Sequence, residues 1–397
     1  MLVPAKPVHR SQASEGVRCA FAALVCLALA GCATPAPAPV DPVSLLLDSA
    51  FLPQSVPANP EVLVPSDAMR RYLAVDIARE LRNRGKLHGL VAALEGNTRL
   101  KLSYDSTITR TAAEAFEARA GNCLSLTVMT AALARELGLS VSFHRVLAEP
   151  LWTRSGDTLF ASGHVNVVLA PALASAYSII RSQDAIIVDF LPGADPRKQR
   201  SHEILEHTVT AMYMNNRAAE AIPGGSLDEA YWWARGALLH DSRFLEGINT
   251  LGVVYSRHGN AAQAERAFRY VLSIETENVS AMANLAGVLE RSGRQVESLA
   301  LRDRLRQIES QPPFHFFDLG MAALRSRDFE AAQDHFLREL RRNAYYHEAH
   351  FGLAIAYLHL GKLESARKHL GTALETSTNR GEQDLYAGKL AWLRSIR

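Results

Sequence analysis

The chain is poor in cysteine, in net charge and in long apolar runs. Forty-three Lys and Arg face 41 Asp and Glu, a formal charge of +2 over 397 residues. No basic tract interrupts this balance, so nothing suits a nucleic-acid backbone. A glycine-rich phosphate loop is missing as well: Gly224-Gly225 has no strand before it and no lysine after it, and reads as a helix–helix turn. His144, His202 and His207 do not share a compact ligand spacing with Cys123, and His202-Glu203 with Glu206-His207 reads as a polar connection between domains. Neither a metal nor a cofactor is expected.

Only four cysteines occur, at positions 19, 26, 32 and 123. The first two lie in Cys19–Ala30, an apolar run that follows Arg10 and Arg18 and is too short to span a bilayer. It has the length of a signal-peptide core, and it ends in Leu29-Ala30-Gly31-Cys32. That tetrapeptide resembles a bacterial lipobox, which implies cleavage after residue 31 and lipidation of Cys32. Many of the 17 prolines fall in the first 65 residues, and 32–65 reads as a semi-rigid tether. Within it, Leu45-Leu46-Leu47 and Phe51-Leu52 are apolar enough to pack on the main body. Ala33 after the lipobox points to the outer membrane, facing the periplasm. The mature chain would then hold one free thiol, Cys123, in a compartment that oxidises thiols.

Cys123 sits in Ala-Gly-Asn-Cys-Leu-Ser-Leu, at the start of a run with helical apolar spacing that stops at Gly138. A helix N-terminus favours a thiolate, because unpaired backbone N–H groups and the dipole face it. Upstream, Ser66 and Thr111 read as helix caps, over a helix to about Gly85 and a short one over 112–118. Leu87–Leu94 reads as a helix and Leu100–Tyr104 as a strand or extended run. Downstream, 141–146, 164–169 and 185–190 alternate as strands, with a loop carrying Trp152 between the first two. His164 opens one strand and Asp189 closes the next, so antiparallel pairing would bring them together. A thiol, an imidazole and a carboxylate in that order suit nucleophilic catalysis.

Gly-Asn-Cys-Leu-Ser before a helix, then Gly-His-Val-Asn-Val-Val and Ile-Val-Asp-Phe, resembles the bacterial transglutaminase-like superfamily, with its papain-like α+β core. The resemblance covers about 66–205. It implies Cys123 as nucleophile, His164 as general base and Asp189 as orienting acid. No glutamine lies close upstream of Cys123 to serve an oxyanion; Asn122 or Tyr104 is the expected donor beside the Cys123 backbone N–H.

From residue 211 to 380 the sequence repeats at period 34. Ala230, Ala264, Ser298, Ala332 and Ala366 align, as do Ala234, Phe268, Arg302, Phe336 and Leu370. The pattern is similar to the tetratricopeptide family and predicts an all-α solenoid of about five repeats, closed by a capping helix over 381–397. Such solenoids bind extended peptides or partner surfaces. Tyr213, Asn216, Trp232, Tyr255, Asn284 and His350 are the expected groove residues.

Two functions follow. The first is a lipid-anchored periplasmic cysteine enzyme, a protease, amidase or acyltransferase working through a Cys123 thioester, with the repeats holding a protein or peptide partner. The alternative is a non-catalytic protein-binding and assembly lipoprotein, in which the transglutaminase-like region is a degenerate scaffold.

Overall fold

The computed structural model describes residues 41–95, 100–105, 108–155, 158–172, 185–190, 199–308, 314–343, 346–377 and 380–395. The leader and Cys32 lie outside them. Among the described residues no helix is long and apolar enough to cross a membrane.

Residues 42–65, grouped with the tether by their prolines, fold against the body instead. Two 3-10 turns, Pro42–Leu45 and Asp48–Ala50, bracket an apolar stretch whose Leu45 and Phe51 are buried. Helix α1 (Asp67–Arg71) starts at Ser66, whose hydroxyl accepts the Met69 N–H. It then widens into a π-type turn over Tyr72–Asp76 before α2 (Ala78–Arg84), which breaks the single helix expected from periodicity. After α3 (Lys86–Glu95) and strand β1 (Ser103–Tyr104) comes α4 (Ala112–Ala118), opened by a capping box between Thr111 and Glu114. Strand β2 (Ala120–Gly121) pairs parallel with β1 and leads into α5 (Cys123–Glu136).

Leu124 to Ala134 of α5 are all buried, which is the signature of a helix enclosed on every side. Beside it stands an antiparallel sheet ordered β5-β4-β3-β6: β3 is Ser140–Ser155, β4 Thr158–Ala170, β5 Ile186–Val188 and β6 Ser201–Ile204. β3 and β4 form one long hairpin in which Trp152 pairs with Ala161, so the loop expected there is ladder. The register shifts between Val146 and Leu151. Pro150, which has no N–H to give, falls in that gap. β6 lies where the sequence suggested only a polar connection, with His202 opposite Arg145.

The rest is helical. Five antiparallel pairs follow: α6/α7 (Glu206–Ala221, Leu227–His240), α8/α9 (Leu245–His258, Ala261–Ile274), α10/α11 (Val279–Arg291, Gln295–Ile308), α12/α13 (His315–Arg325, Phe329–Arg342) and α14/α15 (His347–His359, Leu363–Thr376). α16 (Arg380–Ser395) closes the array. Every second helix opens 34 residues after the last. The small residues of the period are close-approach positions. A Cβ on Gly320 would meet the Phe336 ring at 2.7 Å, and one on Gly352 at 2.4 Å, so a single aromatic wedges between two successive first helices.

The architecture is thus a mixed α+β region followed by a helical solenoid. One hydrophobic core runs from Leu45 through α5 and the sheet to Leu289, without a break between the two. The next cluster begins only at Ala323. The interruption has a sequence cause: Arg302 stands where Phe268 and Phe336 stand one repeat to either side, and it turns to Glu290 and Ser298. Among its described residues α11 buries Ser298 alone and leaves Val296 83% exposed. Replacing the fully buried Phe336 by Ala should cost about 3–5 kcal/mol of the stability of the last two repeats. Urea unfolding should show that loss in a late-repeat transition, leaving the α+β transition where it was.

Candidate functional site

Asn122 builds the start of α5. Its backbone is extended (φ −74°, ψ 178°), and its Oδ1 accepts both the N–H and the hydroxyl of Ser125 at 2.9 Å. Its amide donates to Thr109 Oγ1 at 2.7 Å. The Ser125 hydroxyl oxygen in turn accepts the Arg110 N–H, and the Thr109 N–H is taken by Glu220 of α6 at 2.6 Å. Gly121 is required here, because a Cβ would lie 2.5 Å from that of Ser125. Asn122 is therefore engaged as a cap. One amide hydrogen is spent on Thr109 and the oxygen on the cap.

His164 and Asp189 meet as the strand pairing requires. β4 and β5 run antiparallel, with Val167 opposite Val188, and Nε2 of His164 lies 2.7 and 2.8 Å from the two Asp189 oxygens. Both side chains are almost wholly buried. Asn166, two residues along the same strand, donates to Asp189 Oδ2 at 3.3 Å. Burial alone would lower the His164 pKa; hydrogen bonding to Asp189, with Cys123 nearby, outweighs it and pushes the pKa up to about 10. Tyr104 lies close to Cys123 and Asp189, and burial first, then these neighbours, push its phenol well above the usual range.

The enzymatic reading is corrected at this point. Among the described residues no three His, Cys, Asp or Glu side chains are grouped so as to hold a metal ion. His164 gives Nε2 to Asp189, its Nδ1 is buried without a well-aligned hydrogen-bond partner, and Cys123, half-buried at the helix start, is close enough to raise the imidazole's pKa. His164 and Asp189 form a buried ion pair, which fits a scaffold better than the protease, amidase or acyltransferase expected from the sequence.

The expected groove residues separate by burial. Tyr213 and Tyr255 are buried, Tyr213 edge-on to Trp233 with ring centres 6.1 Å apart. His350 is buried and its Nδ1 pairs with that of His369 at 2.9 Å. Burial, then His350 and Lys368, push the His369 pKa down to about 4. Asn216 is half-buried in α6, and Asn284 donates to Asn249 across adjacent first helices. Trp232 and Tyr255 are already in use: Trp232 Nε1 donates to the Leu52 carbonyl and the Tyr255 hydroxyl to that of Leu45, both at 2.8 Å. The sequence reading missed the residues that join the α+β region to the repeats, namely Glu220, the Arg145–Glu246 pair and the Arg135–Glu206 pair. Their ion-pair chemistry has no local pattern by which to find it.

Comparison with known proteins agrees with the helical half. A family model described as tetratricopeptide repeat matches residues 317–379. The C-terminal region carries tetratricopeptide repeats. A curated relative, the TPR repeat-containing thioredoxin TTL4 of Arabidopsis thaliana, is 33% identical over 113 residues, 28% of this chain; the match spans only 15% of that relative's length. Solved structures that resemble the chain include YrrB, described as a TPR protein with an unusual peptide-binding site, at 20% identity, 45% of this chain and 92% of that one, with a TM-score of 0.24. PilF of Pseudomonas aeruginosa matches at 18% identity, 48% and 86%, with a TM-score of 0.27.

The ion pair gives stability a definite pH dependence. Because the folded His164 pKa is raised above its ordinary value of 6.5, its contribution is complete below about pH 6.5 and is lost as pH rises through 10. Equilibrium unfolding across pH 6–10.5 should show this decline, and His164→Gln should flatten it. Asp189→Asn should cost about 3–5 kcal/mol near neutrality, since it strands a buried imidazolium.

Proposed function

We propose that this chain is a non-catalytic protein-binding and assembly lipoprotein, in which a transglutaminase-like α+β scaffold of papain-like descent carries a tetratricopeptide-repeat solenoid. The observation that carries the reading is the repeat region itself, since stacked helix pairs present an extended surface suited to a protein or peptide partner. His164 and Asp189 fit this role as core-locking groups. The lipobox-like Leu29–Cys32 and the leader before it support a lipid anchor on Cys32 and a place on the periplasmic side of the outer membrane. The proline-rich residues after Cys32 supply reach from the lipid to the folded body.

The test is made in a Gram-negative host, with photo-crosslinkers placed on α12 to α15 of the full chain. A discrete crosslinked partner that persists unchanged in Cys123→Ala is expected. Loss of the partner and of the associated phenotype in Cys123→Ala would show that the thiol does chemistry and would overturn the non-catalytic reading. Labelling with radioactive palmitate should mark the wild-type chain and disappear in Cys32→Ala; label that survives the substitution would remove the proposed anchor.

A further inference from the structure

Residues 42–58 lie on the solenoid as a ligand would. Apart from two single turns they make few hydrogen bonds among themselves, and their backbone is read by repeat side chains. The Tyr255 hydroxyl donates to Leu45 O, Tyr231 Oη accepts the Leu47 N–H at 3.0 Å, and Asp228 accepts the Leu52 N–H at 2.8 Å. Trp232 donates to Leu52 O and His240 Nε2 to Ala58 O, each at 2.8 Å. Three side chains are read as well, each three residues after the last. Leu45 is buried. Asp48 accepts the Tyr231 hydroxyl at 2.6 Å and Arg235 Nε at 2.9 Å. Phe51 stacks flat on Tyr231, with ring centres 4.0 Å apart and planes within 2°. Recognition of backbone at several points, with specificity from side chains at fixed steps, is how short peptide segments are bound. Pro42, Pro53 and Pro57 stiffen the segment, which lowers the entropic cost of holding it.

We propose that the groove formed by Tyr231, Trp232, Arg235 and Tyr255 is a peptide-recognition site that the chain fills with its own residues 45–52, and that in trans it takes a segment able to form 3-10 turns and bearing an apolar, an acidic and an aromatic residue at three-residue steps. The proposal rests on the reading of the solenoid as a binding module, and assigns it a site and a ligand chemistry. Arg235 supplies the charge for the acidic residue, the Tyr231 face takes the aromatic ring, and the carbonyl and N–H contacts fix the backbone between the turns. Tethering keeps the internal segment at high effective concentration, so an outside peptide competes only when the segment is weakened or its own affinity is high.

The probe is a fluorescent synthetic peptide of residues 42–58, titrated by anisotropy into the full chain. Wild type should bind it weakly, and Asp48→Ala/Phe51→Ala should bind it at least tenfold more tightly. Adding Arg235→Ala to that variant should abolish the gain, as should making the same two replacements in the peptide. Equal affinity for wild type and released variant, or undiminished binding of the replaced peptide, would overturn the proposal. Should the released variant lose helical circular dichroism, hydrogen exchange on the wild type decides. A displaceable segment has Leu47 and Leu52 amides exchanging much faster than Val254 in α8, whereas exchange at the Val254 rate makes the segment plain core and overturns it. Crosslinked partners on α12 to α15 that survive a negative result here would remove this groove and leave the binding reading standing; absence of both would remove the binding reading itself.

Discussion

A helical repeat array has a problem at its first unit: each repeat buries its apolar face on the one before, and the first has none before it. In this chain the α+β region and the segment before it supply the missing neighbour. Core residues of α5 and the sheet run without interruption into those of the first two repeats. Polar groups pin the same junction, where Glu220 of α6 reaches the loop that caps α5 and Glu246 of α8 pairs with Arg145 of β3. At the far end, α16 does the corresponding job by covering the last pair with Tyr386, Leu390 and Leu393.

That constraint bears on what the polar residues around Cys123 do. Asn122 spends its side-chain oxygen on the helix cap and one amide hydrogen on Thr109, whose N–H goes to the first repeat. His164 and Asp189 spend theirs on each other, across the two strands packed beside α5. A buried ion pair is costly to break, because one charge is then left buried alone, so it fixes the register of β4 against β5. The same charges tie neighbouring strands of the α+β region together.

Much of this was legible in the sequence because its signals are local. Ser66, Thr111 and Asn122 sit at helix starts where capping chemistry puts such residues, and the 34-residue period of small and large positions marks the second helices from Leu227 to Leu363. The contact of His164 with Asp189 was also legible, from strand ends and an assumed antiparallel pairing. What could not be read was long-range. Whether Cys123 would be hydrogen-bonded to the free edge of His164 depends on side-chain placement of about an ångström, and no spacing encodes it. The docking of Leu45, Asp48 and Phe51 on Tyr231 and Arg235 spans more than 180 residues, while prolines made that stretch resemble a spacer. Strand β6 was hidden because Ser201–Ile204 has an exposed, polar edge composition.

If the α+β region exists to close the repeat array, the two must share one cooperative unit, and the array must loosen after it at Arg302. Native-state hydrogen exchange in increasing urea measures this directly. The account predicts that amides of α5, β4, α8 and α9 converge on a single opening free energy, with those of α13 and α15 opening separately at a lower one. Amides of α5 and β4 opening together while α8 and α9 stay protected would contradict it, because the α+β region would then be an independent domain attached to a solenoid that needs no cap.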